Sequence, residues 1–487
     1  MSKSWRPLLV ILFVALFALA CPAIFADEPK QADNQNPPAV KLNITETSLG
    51  KFGEGGIAKT LTVSPDSKRV AFVAWRGEKC FVVVDGVEGK EYDGIVRDTL
   101  VFSPDSKRVA YIARRGDKSF VVVDGVEGKE YAVAGFVVFS SDSKRVAYAA
   151  HRGEKWFVVV DGVEGKEYDV AFGLAFSPDS KRVAYVALRW GKELVVVDGV
   201  EGKGYDGIGG GTLVFGPDSK RIAYAARRGD KWLIVVDWIE GKECFFCSAP
   251  TFSPDSTRVA YSATRDEKWL VIVDGVEGRE YDGLCTMPTF SPDSKRVAYG
   301  AKQGEKWLVV VDGVKGREYD DIGPSTFGGS FDLNGVLLYL RVSASFFSPD
   351  SKRVAYIAWR GEKPFVVVDG VESKEYDGAK GLAFSSHSKR VAYAAKQGEK
   401  WLVVVDGVEG KEYGGIFTGP TFSPDSKRLA YEAWRGDKQF LVVDGVESTE
   451  YDGFVEGSRL VFDSPSKLHT LMLRDSEIFL VEIEITE

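Results

Sequence analysis

Histidine is almost missing from this chain: only His151, His387 and His469 occur among 487 residues, each in a different stretch, and no pair has metal-ligand spacing. His151 and His387 fall at turns and read as surface substitutions. No Gly-x-Ser-x-Gly elbow is present, which argues against a serine hydrolase, and no Gly-rich phosphate loop or EF-hand pattern occurs. An excess of basic charge is also lacking. Lys and Arg number 63 against 71 Asp and Glu, a formal charge of -8, and removing Lys3 and Arg6 with residues 1–26 makes it -10. With no basic excess to neutralise phosphates, nucleic acid is excluded as a partner. Together these absences leave little for catalysis. They give no reason to expect a metal or a cofactor.

Long apolar runs are absent beyond residue 26, so no membrane insertion is expected apart from an N-terminal anchor. At the start, Lys3 and Arg6 precede an apolar stretch from Pro7 to Ala26 that ends Ile24-Phe25-Ala26 before Asp27. This is the pattern of a secretory signal over residues 1–26, cut after Ala26. A lipid anchor on Cys21 in the loose motif Ala18-Leu19-Ala20-Cys21 is a second reading, and an uncleaved anchor is a third. All three place the body in the periplasm or outside the cell. Residues 27–40, containing DEPKQADNQNPP, read as a polar linker.

What the chain has in abundance is itself. VFSPDSKRVAYIARRGDKSFVVVDGVEGKEY (101–131) recurs in ten clear copies, marked by Ser64, Ser103, Ser140, Ser177, Gly216, Ser253, Ser291, Ser348, Ser385 and Ser423. The spacing is 37 to 39 residues except for a step of 57 between Ser291 and Ser348. That step holds FDLNGVLLYL (331–340), which looks like a truncated copy. A degenerate eleventh copy over 459–485 ends the chain. Turn signals inside each copy (Pro-Asp-Ser, Arg-Gly-Asp/Glu-Lys, Asp-Gly-Val-Glu-Gly) mark four short strands, a to d, joined as successive hairpins. Strand c does not alternate with polar residues, so both of its faces must be covered, as in sheets stacked around an axis.

The expected fold is therefore all-β, a β-propeller of about eleven four-stranded blades in one large ring or in two rings breaking near 320–345. The divisions are a closing strand plus seven repeats over 41–323, a truncated repeat or insertion over 324–345, and three full repeats plus the degenerate one over 346–487. The last copy lacks strand d, and VKLNITETSL (40–49) is placed to supply it and remove an exposed edge.

FSPDSKRVAY followed by VVVDG resembles the TolB-type propeller repeat, a relative of WD repeats, over residues 59–455. The resemblance implies a propeller and protein partners in the cell envelope. The chain departs from it in having Ser where the turn often carries Gly, no Trp-Asp dipeptide ending strand c, and no room for the α/β domain that precedes the propeller in TolB itself.

The copies differ unevenly. The a–b and c–d turns hardly change, whereas the b–c hairpins and d–a connections vary, and in an antiparallel blade these two sets lie on opposite faces of the ring. At the variable hairpins stand Trp75, Arg114, Arg227, Trp359 and Trp434, and at the entry to strand c Trp156, Trp232, Trp269, Trp307 and Trp401. Trp and Arg are enriched where proteins bind partners, so these ten form the candidate contact surface for a protein or polysaccharide.

The Asp ending each strand c, from Asp85 to Asp444, recurs as a ring of carboxylates. Its place before a tight turn reads as backbone capping. The Tyr of each KEYDG reads as packing between blades. Four cysteines remain after the leader, and Cys247 with Cys285, Cys244 with Cys247, or unbonded thiols all stay open. The expected function is exported, non-catalytic binding or scaffolding. A purely structural envelope role is the alternative, with a propeller-type polysaccharide lyase or hydrolase behind both.

Overall fold

A computed structural model describes residues 40–51, 60–323, 330–333, 336–339 and 347–486, and every regular element among them is a β-strand. The signal segment 1–26 and linker residues 27–39 lie outside the described residues.

Each copy folds as its turns dictate. Strand c ends in Asp-Gly, as at Asp124 and Gly125, which hold φ of 52° and 79°. Both values are positive, as the tight hairpin matched to strand twist requires, and Asp-Gly enters that turn readily. Strands b and c pair in register through six residue pairs, in blade 2 from Ala110 opposite Val123 to Arg115 opposite Lys118. Strand a is often broken. In blade 2 it consists of Gly94–Ile95 and Val101–Phe102, both pairing with strand b, whereas in blade 3 it runs unbroken from Val133 to Phe139 with a bulge between Gly135 and Val138.

Eleven such sheets follow one another in a single ring. Strand a is innermost, since Thr62–Val63 touches Val101–Phe102, which touches Val133–Phe139, which touches Val170–Phe176. Among the described residues there is no central core. Apolar side chains pack between blades, and strand c serves both neighbours in alternation: Phe120 and Val122 face blade 1, Val121 and Val123 face blade 3. This is why strand c carries an unbroken apolar run.

The ring is closed by the N-terminal strand. Lys41–Lys51 lies antiparallel along Glu477–Thr486 as the fourth strand of blade 11, with Lys41 opposite Thr486 and Ser48 opposite Phe479. Blade 11 then packs on blade 1 through Leu49, Leu471 and Ile478 against Val70. Of the two arrangements the sequence allowed, the chain forms one ring. The long step is an insertion: among the described residues Ser330–Leu333 pairs with Val336–Tyr339 alone, between Asp321–Ile322, an outer piece of strand a, and the bridge of Phe347 to Val354 in the same blade.

Candidate binding face

On the face formed by the a–b and c–d turns, side chains that recur are committed to holding blades together. The last Ser of each Ser-Pro-Asp-Ser turn and its variants, from Ser67 to Ser426, has φ of 57° to 66°. Its Oγ accepts a backbone N–H from the preceding blade at 2.8–3.0 Å, as Ser143 does from Asp105 and Ser67 from Arg459 across the seam. Glycine would fit the backbone there but supply no acceptor, which accounts for Ser in place of Gly. Because the donor is a backbone group, His387 replaces the turn Asp without losing the bond.

The repeated carboxylates at the end of strand c are equally engaged. Asp85 accepts Val70 N–H at 2.9 Å and Arg69 Nε at 2.6 Å, and Arg69 reaches on to the carbonyls of Ser106 and Lys107 in the next blade. All ten, through Asp444, pair with Arg in this way at 2.6–3.0 Å. At the outer rim, Glu127 receives Lys90 from blade 1 and Arg115 from its own blade, and these two hydrogen bonds hold its carboxyl at about 2. The KEYDG tyrosines pack between blades as expected, Tyr92 standing edge-on to Tyr111 at 6.2 Å and to Phe120 at 5.6 Å.

The opposite face, of b–c hairpins and d–a connections, has one recurring clamp. The Asp of Tyr-Asp-Gly accepts the Lys of its own hairpin and the N–H at the tip of the next: Asp169 takes Lys155 at 2.6 Å and the Trp190 N–H at 3.1 Å. These bonds, Lys first, hold the Asp169 carboxyl below its ordinary range.

Beyond the clamp this face is individual, and the ten sequence-predicted residues divide on it. Trp75 is 63% exposed and Arg114 is exposed. Trp156, Trp232, Trp269, Trp307, Trp359 and Trp401 are half-buried and pack against the cores between blades, a placement more structural than the sequence reading gave them. Trp434 is half-buried too, its ring so close to Gly415 that a Cβ there would stand 1.9 Å from Cζ2. Arg227 folds back to donate to the Asp206 carbonyl at 3.1 Å.

Other groups on this face were not singled out from sequence. Trp190 is 88% exposed, and Phe136, Phe245 and Phe417 are exposed in the d–a connections. Trp190 and Phe136 have φ of 50° and 54°, a region bulky side chains enter only at a cost of about 1–3 kcal/mol. A signal existed for Phe136. Its aligned neighbours read Phe172-Gly173 and Lys380-Gly381, with Gly at φ 63° and 65°, whereas this copy reads Gly135-Phe136. Phe245 sits inside the Cys244–Cys247 disulfide, the pairing formed out of those the sequence left open; Cys80 and Cys285 are buried outside it.

Two buried titratable groups interrupt the repeat. Glu432 stands where other copies carry small or aliphatic residues, is 1% exposed, and among the described residues its carboxylate accepts from Thr418 at 3.1 Å and Thr470 at 3.3 Å; burial pushes its carboxyl up to about 7. His469, also buried, lies 2.7 Å from Asp463 through Nδ1 and 2.7 Å from the Asp66 carbonyl through Nε2. It bridges the seam in the blade where Lys467 stands in the place of the clamping Arg.

Comparison with known proteins adds only general likeness. No family model and no curated protein matches the chain. Among solved structures, a eukaryotic initiation factor is similar at 12% identity and a TM-score of 0.36, over 77% of this chain and 98% of that one. TolB from Acinetobacter baumannii is similar at 17% and 0.23, over 48% of this chain and 64% of that one. The Cps50 (Swd1) β-propeller domain from Myceliophteria thermophila is similar at 13% and 0.26, over 53% and 98%. Likeness at this level says nothing of what the chain binds.

Proposed function

We propose that the chain is an exported, non-catalytic binding or scaffold protein whose hairpin-and-connection face takes a protein or polysaccharide partner in the cell envelope. The observation that carries this is the contrast between faces. On the turn face the repeated Ser, Asp and Arg are engaged in joining blades, and its exposed apolar groups are mostly single Val or Ile residues, one per blade from Val87 to Val408. On the other face stand Trp75 and Trp190, large rigid groups of the kind that dominate contact energies.

Binding rather than catalysis is supported by the engagement of the repeated carboxylates and by the burial of His469 among its partners. Export to the periplasm or beyond is supported by the signal pattern of residues 1–26 and by the Cys244–Cys247 bond. Kinship with TolB-type propellers is supported by the repeat motif. One observation favours the alternative, a purely structural envelope element: six of the predicted Trp residues pack against cores between blades.

Capture from envelope extract and on a glycan array separates the two. The native chain is compared with Trp75→Ala/Trp190→Ala and, on the opposite face, Val87→Ala/Val126→Ala. Specific capture lost only in the first variant is the expected result; capture lost only in the second variant contradicts the choice of face, and none by the native chain moves the assignment to the structural role.

A further inference from the structure

The carboxylate clamp of the variable face is present at seven junctions, through Asp93, Asp169, Asp206, Asp282, Asp320, Asp377 and Asp452. Of the other junctions whose connections are described, three lack it because the Asp position holds another residue: Ala132 between blades 2 and 3, Phe245 between 5 and 6, and Gly414 between 9 and 10. The consequence for charge is the same each time. Lys118 keeps only its chain neighbour Asp117 at 3.9 Å, Lys231 lies 5.8 Å from the centre of the Phe245 ring, and Lys400 makes no ion pair among the described residues.

The same three junctions carry an exposed aromatic side chain in the described d–a connection, whereas at the clamped junction of Asp169 the exposed ring, Trp190, stands on the hairpin. Phe136 is 59% exposed, Phe245 67% and Phe417 46%. Phenylalanines in the connections of two clamped junctions are covered, Phe172 being half-buried and Phe454 buried. Loss of the clamp thus coincides with an ammonium that lacks its clamp carboxylate and with an exposed ring. The incoming blades are 3, 6 and 10, so the corners stand three, four and four blades apart, the most even three-way division an eleven-blade ring allows.

We propose that these open corners are the contact points of a protein partner that presents, at each, a carboxylate beside an apolar side chain. The inference rests on the variable face being the binding face and specifies what it binds. Charge complementarity selects the partner: each hairpin ammonium lacks the clamp carboxylate its equivalents have, and the partner's carboxylate takes that place while the exposed ring buries apolar area. A folded protein suits points three or four blades apart, because a polysaccharide chain is gripped through adjoining subsites. The corners are held ready, most evidently Phe245 within its disulfide, so little ordering is required on contact.

The test uses the full chain and defined probes. These are immobilised peptides of alternating Leu and Glu displayed singly and in threes, the Leu and Lys counterparts, and polygalacturonate. The expected result is binding to the acidic peptides, tighter for the trivalent display. Ala132→Asp supplies the missing acceptor for Lys118 and the Gly153 N–H, closes one corner, and weakens binding by about tenfold without lowering the unfolding midpoint. Phe136→Ala/Phe245→Ala/Phe417→Ala changes only exposed side chains and abolishes binding. Equal binding by all forms, no binding by the native chain, preference for the basic peptides, or binding of polygalacturonate alone overturns the proposal. Capture lost in Trp75→Ala/Trp190→Ala but intact in the triple Phe variant overturns it while leaving the binding face in place.

Discussion

Trp190 and Phe136 occupy backbone positions where equivalent copies carry Gly, as Gly116 does in the hairpin and Gly173 in the bulge. Their side chains are exposed, so packing does not offset the strain. Trp190→Gly and Phe136→Gly are each expected to stabilise the chain by about 1 kcal/mol, read as a rise in the urea midpoint. An unchanged or lower midpoint would mean that these rings support the fold after all. Glu432 makes a pH-dependent prediction. Its carboxyl sits at about 7 in the folded chain against an ordinary 4.5, so the folded state holds a proton that the unfolded chain has released between those values. The contribution of Glu432 to stability is therefore fully present below about pH 4.5 and is lost as pH rises through 7, by about 3 kcal/mol in all. Glu432→Gln is expected to remove this decline, so that native and variant chains unfold together near pH 4 and the variant is the more stable near pH 8. Parallel curves for the two chains across that range would contradict it.

At the scale of the element, the Ser turn joins two opposed effects, left-handed strain and a bond between blades. Ser143→Ala keeps the strain and loses the acceptor for Asp105 N–H, with an expected loss of about 1–2 kcal/mol, whereas Ser143→Gly loses the bond but relieves the backbone and is expected to be near neutral. Equal destabilisation by both in denaturant titrations would show that the strain is negligible. The strands themselves were legible in the sequence, since Asp-Gly, Arg-Gly and Pro-Asp-Ser punctuate apolar runs of fixed length. The broken strand a was not, because its outer half is two residues held to strand b, as at Gly94–Ile95, with no periodicity to read. Nor was the exposure of individual Trp residues. Trp434 is covered because Gly415 leaves room beneath it, a relation between residues 19 apart in different strands. Trp75, 63% exposed, has no such cover among the described residues.

At the scale of the whole molecule, eleven copies and an orphan strand were visible in the sequence, and so was the complementarity between a last blade lacking strand d and residues 40–49. The number of rings was not visible. It depends on the wedge angle that each interface sets and on whether the insertion within blade 8 interrupts stacking, and neither is written in local pattern. Blade 8 packs on blade 7 through Ala358 and Phe365 against Tyr319 and Val309, so the ring passes the insertion without a break. Closure then rests on the seam, where His469, Ser67 and the strand Lys41–Lys51 join the ends of the chain. A closed ring gives the chain two faces of different character, and the proposed binding depends on that geometry. Electron cryo-microscopy of the purified chain tests it most directly: end-on views are expected to show one closed ring of eleven blades, and two smaller rings or an open arc would contradict the account.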